Sequence, residues 1–168
     1  MTAARAARAT APAVDIIVDS TLWAAKPDAE GIVRRAIAQA AEFVAMDDAE
    51  LAVALTDDAA IRKLNHQWRG LDEPTNVLSF PAPPSLQGDA PVHLGDIAIA
   101  YETVAREAES EGRPFAHHLS HLAVHGFLHL LGYDHESEPE AAAMEQQERA
   151  ILARLGIPDP YVTQETEV

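Results

Sequence analysis

Four histidines, His117, His121, His125 and His129, recur at intervals of four along the segment from Pro114 to Leu131. The rest of that segment is apolar or glycine apart from His118 and Ser120. An interval of four turns a helical side chain by only ~40° and raises it by ~6 Å, so the four imidazoles form one stripe. A single histidine on an apolar helix is an ordinary core residue. A ladder of four packs poorly and repels itself when protonated. The pattern therefore fixes a helix here and points to chemistry on one of its faces.

The residues just beyond the ladder select the members that matter. After His129 the chain reads Leu130, Leu131, Gly132, Tyr133, Asp134, His135. Gly132 stands where a helix ends in a left-handed residue and the chain turns sharply. That turn brings His135 back over the last helical turn, toward His125 and His129. Three neutral imidazoles converging on one point make a zinc-type site with a position left open. The spacing matches the frame His-Glu-x-x-His-x-x-Gly-x-x-His of zinc proteases at every histidine and at the glycine. One letter departs from it: the glutamate that serves those proteases as general base is Gly126 here. The same metal scaffold is thus expected to serve another reaction. His117, His118 and His121 read as surface or supporting histidines.

The remainder of the chain frames this site. Its 168 residues suit one domain, and 48% hydrophobic residues suffice for a core. No cysteine is present, which excludes thiolate metal sites, disulfides and a cysteine nucleophile. No apolar run reaches the ~18 residues of a membrane span. Twelve Lys and Arg against 27 Asp and Glu give a net charge of −15, so any grip on nucleic acid must be local. Strands are expected at Val14–Val18, Leu51–Leu55, Asn76–Phe80 and Leu94–Ala100. Helices are expected from Pro27 to about Met46, from Asp57 to Gly70, over Tyr101–Glu111 and Pro114–Leu131, and from Pro139 to Leu155. The segment Pro81–Pro91, with four prolines, reads as a loop. The Ala-rich residues 1–13 read as a disordered leader of a cytoplasmic protein, residues 14–163 as one domain, and 164–168 as a loose tail. The fold class is α+β: a small mixed four-stranded sheet packed with about five helices, one of them the histidine helix.

A second polar stretch runs from Leu64-Asn65-His66-Gln67-Trp68-Arg69-Gly70 to Pro74-Thr75-Asn76-Val77-Leu78-Ser79-Phe80-Pro81. Arg69, at a helix end beside a turn, is placed either to hold a phosphate with its fork of donors or to form a surface ion pair. Asn76 and Ser79 read as strand-edge hydrogen bonders. Trp68 reads as a core residue rather than a base-stacking platform. Asp96, after Gly95 at a strand start, is a turn residue or a partner for a metal-bound histidine.

His125-Gly126-Phe127-Leu128-His129-Leu130-Leu131-Gly132-Tyr133-Asp134-His135 resembles the signature of the YbeY family of bacterial endoribonucleases. The stretch from Leu64 to Pro81 resembles that family's other diagnostic segment, and Leu94-Gly95-Asp96-Ile97 a third. The likeness runs from about Val14 to Tyr161. It implies a zinc-dependent endoribonuclease, specific for single-stranded RNA, that acts in 16S ribosomal RNA 3′-end maturation and ribosome quality control. It implies one zinc ion held by His125, His129 and His135, a catalytic role for Arg69, and no DNA or membrane partner. Leu71 and Glu73 stand where family members often carry lysine, so a ribosomal partner is expected to help position the RNA. Two other readings keep the metal frame: a zinc-dependent peptide or amide hydrolase, and a ribosome-assembly factor with structural zinc.

Overall fold

The computed structural model describes residues 11–46, 48–83 and 92–162. Four strands, β1 (Ala13–Val18), β2 (Ala49–Thr56), β3 (Val77–Pro81) and β4 (Val92–Ala100), form one sheet in the order β1-β2-β4-β3. β1, β2 and β4 are parallel, and β3 runs antiparallel to β4 at the edge. Five helices surround it: α1 (Ala29–Phe43), α2 (Asp58–Arg69), α3 (Tyr101–Glu111), α4 (Phe115–Leu130) and α5 (Glu138–Arg154). A short 3-10 turn, Thr21–Ala25, follows β1 and buries Trp23. The mixed four-stranded α+β expectation therefore holds. The expected tail and most of the expected leader and of the Pro81–Pro91 loop lie outside the described residues.

Strand alternation divides the interior in two. Leu51, Val53 and Leu55 of β2, with Ile97 and Ile99 of β4, face one way and are buried against α1 and α4. Leu78, Ala98 and Ala100 face the other way and meet Ile61 of α2, with Leu64 and Phe80 packed alongside. α4 is the central helix, covered by α1, α3, α5 and the sheet. Every residue from His118 to Val124 is buried, as are Phe127 and Leu128. That burial explains why its non-histidine positions are so uniformly apolar.

Two glycines set the geometry around the future site. Gly126 lies where α4 crosses the sheet. A Cβ there would come within 3.1 Å of Ile97 Cγ2 and 3.2 Å of Ser79 Oγ. A glutamate at that position, which the protease frame requires, would make Ile97 and Ser79 give by a few tenths of an ångström. Gly95 lies inside β4, within the strand expected over Leu94–Ala100, at φ +135° and at an irregularity in the β2–β4 register. A Cβ on it would come within 2.2 Å of the Phe80 carbonyl oxygen, so only glycine lets β3 approach.

Candidate metal centre

The helical drift of ~40° per step separates the ladder into members with different neighbours. His117, three steps from His129, has turned away toward Ser120 and Ile157. His121 is buried, while His125 and His129 are half-buried and adjoin each other with ring centroids 4.6 Å apart. α4 ends at Leu130, and Gly132 adopts φ +104°. The amide of Tyr133 donates to the carbonyl of Leu128 at 3.1 Å, a closing bond of the type that reverses a chain at a helix end. His135 then returns over the helix, its ring centroid 5.7 Å from that of His125 and 5.0 Å from that of His129. One nitrogen from each of His125, His129 and His135 lies within 4.8 Å of the others. The expected three histidines are thus brought together, with His135 exposed so that one side of the group stays open.

Glu148 is the residue that sequence reasoning missed. Its side chain is fully buried on α5. Oε2 accepts from His125 Nδ1 at 2.6 Å, and Oε1 accepts from His121 Nε2 at 2.9 Å and from the Tyr161 hydroxyl. Burial alone would raise this carboxyl, but donation from His121 and His125 overrides it and holds Glu148 ionised, at about 2. An ionised carboxylate can only accept, so the proton of His125 sits on Nδ1 and its Nε2 lone pair is free for a metal. His121 Nε2 donates to the same carboxylate, and His121 Nδ1 accepts from Arg113 at 3.3 Å. Burial pushes the His121 pKa down despite Glu148. Burial, then the neighbouring His125 and His135, push down that of His129. The shift at His129 favours the neutral ring that metal binding needs. The donor set, three neutral imidazoles with one tautomer fixed by a carboxylate, fits a zinc-type ion. A separate dyad joins buried His118 to Glu107 at 2.8 Å, and Asn76 donates to the same Glu107 oxygen at 2.9 Å.

The network has a pH signature. In the unfolded chain His121 protonates near 6.5 and Glu148 near 4.5, but in the folded protein both take up protons only at lower pH. As pH falls, the unfolded state therefore gains protons that the folded state refuses. Their stabilisation is present in full above about pH 6.5 and is lost progressively through 4.5 toward 2. Urea denaturation of chelator-treated protein at stepped pH should show this decline, and Glu148→Gln should remove its lower limb. A wild-type profile flat from about pH 7 to 4 would contradict the network's role.

Arg69, Trp68 and Asp96 lie on the α2 side of the sheet, around a groove of about 830 Å³. Arg69 is exposed, at the last residue of α2, before Gly70 in the left-handed conformation. Trp68 corrects an expectation: it is 63% exposed rather than in the core. Asp96 is an exposed mid-strand residue opposite Phe80, and among the described residues the carboxylate that meets His125 is Glu148. Ser79, expected only to pair at a strand edge, lines the same groove and donates from Oγ to the Gly126 carbonyl at 3.0 Å, beside His125. β3 is an edge strand, and its Ser79 links the groove to the residue that follows His125.

Comparison with known proteins adds an independent line. A protein-family model described as Endoribonuclease YbeY matches residues 18–156. A protein of Rhodopseudomonas palustris named Endoribonuclease YbeY is 63% identical over 92% of this chain and 92% of its own. One of the same name from Bradyrhizobium sp. is 60% identical over 92% of this chain and 95% of its own. A solution structure from Thermotoga maritima is 26% identical, with a TM-score of 0.45, over 89% of this chain and 99% of that one.

Proposed function

The chain belongs to the endoribonuclease YbeY family, and from that premise we propose that it cuts single-stranded RNA with the help of one zinc ion. His125, His129 and His135 would hold the ion, and the observation that carries this is their convergence within 4.8 Å. Bound there, zinc supplies a Lewis acid for a phosphate oxygen. Glu148 fixes the tautomer and the ring plane of His125 through the 2.6 Å bond to Nδ1. Arg69, across the edge strand, offers a two-donor fork to the negative charge that grows on the phosphate. Ribosomal RNA, chiefly the 16S 3′ end, is the proposed substrate. The net charge of −15 supports a ribosomal partner that shares the work of positioning it.

A peptide hydrolase is disfavoured by Gly126. The protease base is absent, because Gly126 stands where the frame carries its glutamate and sits in tight contact with Ile97 and Ser79. Purified protein should cleave an unstructured RNA in a chelator-sensitive way and leave unfolded casein intact. The RNA ends would report the attacking group, because a 2′,3′-cyclic phosphate marks attack by the RNA's own 2′-hydroxyl. Absence of RNA cleavage by metal-loaded protein would overturn the assignment. Chelator-sensitive casein cleavage would instead make a carboxylate such as exposed Glu136 the base of a peptidase.

A further inference from the structure

We propose that the groove between α2 and the β3–β4 pair seats unpaired RNA bases, with the Trp68 indole as stacking platform and Arg69 holding the adjoining phosphate. The proposal rests on the nuclease reading above and names where the substrate strand lies.

The first observation is an indole where water should not favour one. Trp68 is 63% exposed, and Phe80 backs it with ring centroids 6.0 Å apart and planes inclined at 60°. Phe80 holds the indole in place, and most of its surface stays open. Leu64, Leu78 and Ala98 supply an apolar floor beside it. The groove volume of about 830 Å³ is ample for a flat heterocycle with its sugar. Bases in a duplex are already stacked and paired, so an open aromatic face selects unpaired ones.

The second observation is charge. The chain as a whole repels RNA, yet three of its 12 Lys and Arg lie on α2: Lys63, Arg69, and Arg62, whose fork Asp72 occupies at 2.8 Å. The one acid on that helix, Asp58, is paired with Arg106 at 3.1 Å. Of the three cations on α2, Arg69 lines the groove, so a phosphate seated there meets its guanidinium. Asp96 also lines the groove and sets the orientation. Its carboxylate repels phosphate but accepts hydrogen bonds from base edges, so the base points inward and the phosphate lies toward Arg69.

The third observation is continuity. Ser79 lines the groove while bonding the Gly126 carbonyl, one residue from His125. A strand seated on Trp68 needs only to pass the edge of β3 to reach the three histidines.

The test measures kcat/KM of the full-length, zinc-loaded protein on an unstructured RNA and on copies with one abasic nucleotide at successive positions. Trp68→Ala should keep the wild-type melting temperature and lose about 10-fold in kcat/KM on intact RNA, in the range expected for one lost base stack. Trp68→Tyr should recover most of it. At one position, removing the base should cost the wild type a similar factor and cost Trp68→Ala little further, because both changes delete the same contact. Equal kcat/KM for Trp68→Ala and wild type would overturn the proposal, as would losses that multiply at every abasic position. Conversion of a dimer to a monomer by Trp68→Ala in sedimentation, with unchanged kinetics, would overturn it in favour of a second copy of the chain. A wild type that cuts no RNA removes the nuclease reading and the groove assignment together, whereas a cutting enzyme indifferent to Trp68 removes the groove assignment alone.

Discussion

His135→Ala is expected to fold normally and to lose its metal. His135 is exposed, lies beyond the Gly132 turn, and contributes its ring to the histidine group rather than to a core cluster. Its removal leaves His125 and His129, a pair on successive turns of α4, too few donors for a stable zinc-type site. His121 cannot replace it. Its Nε2 is engaged with Glu148 at 2.9 Å and its Nδ1 with Arg113 at 3.3 Å. Metal affinity should fall by more than the ~10–100-fold that loss of a merely supporting residue costs. Metal analysis after dialysis should drop from one ion per chain to near zero, and RNA cleavage should go with it. The chelator-treated variant should melt where the chelator-treated wild type does. Full metal occupancy in His135→Ala would contradict the three-histidine assignment.

The part of this centre that can be read from sequence is the part encoded locally. His125, His129, Gly132 and His135 sit within eleven residues, and helical rotation plus one left-handed glycine is enough to bring them together. Glu148 and Tyr161 reach the same centre from 23 and 36 residues beyond His125, through the packing of α5 on α4. No local rule states that docking. A trace of it exists: Glu148 falls in step with Met144, Ile151 and Leu152, the buried stripe of α5, and an acid at a core position needs a partner. Trp68 departs from its expected place because burial of hydrophobic residues is a one-way tendency that leaves room for an exposed indole. The order β1-β2-β4-β3 likewise depends on long-range pairing, whereas the strands themselves follow from short apolar runs.

Arg69→Ala is expected to keep normal metal content and melting temperature while RNA cleavage falls by on the order of 100-fold, about the cost of one lost transition-state donor. Arg69 ends α2 on its exposed side, and among the described residues no ion pair or hydrogen bond engages its guanidinium. Its neighbour Arg62 offers the contrast, with Asp72 at 2.8 Å in a bidentate pair that occupies its fork. An exposed arginine on the rim of a groove that shares Ser79 with the Gly126 carbonyl is available to a phosphate and unnecessary to the core. Arg69→Lys should recover only part of the rate, because a point charge cannot reproduce two parallel donors on one phosphate. A purely surface role predicts a stability change of ~0–1 kcal/mol and little change in rate. Comparing kcat for the three proteins at saturating RNA decides between them, with metal content and melting temperature as controls. A folded, metal-loaded Arg69→Ala that cleaves at the wild-type rate would remove Arg69 from the chemistry. The histidine centre, oriented by Glu148, would then have to stabilise the phosphate charge without it.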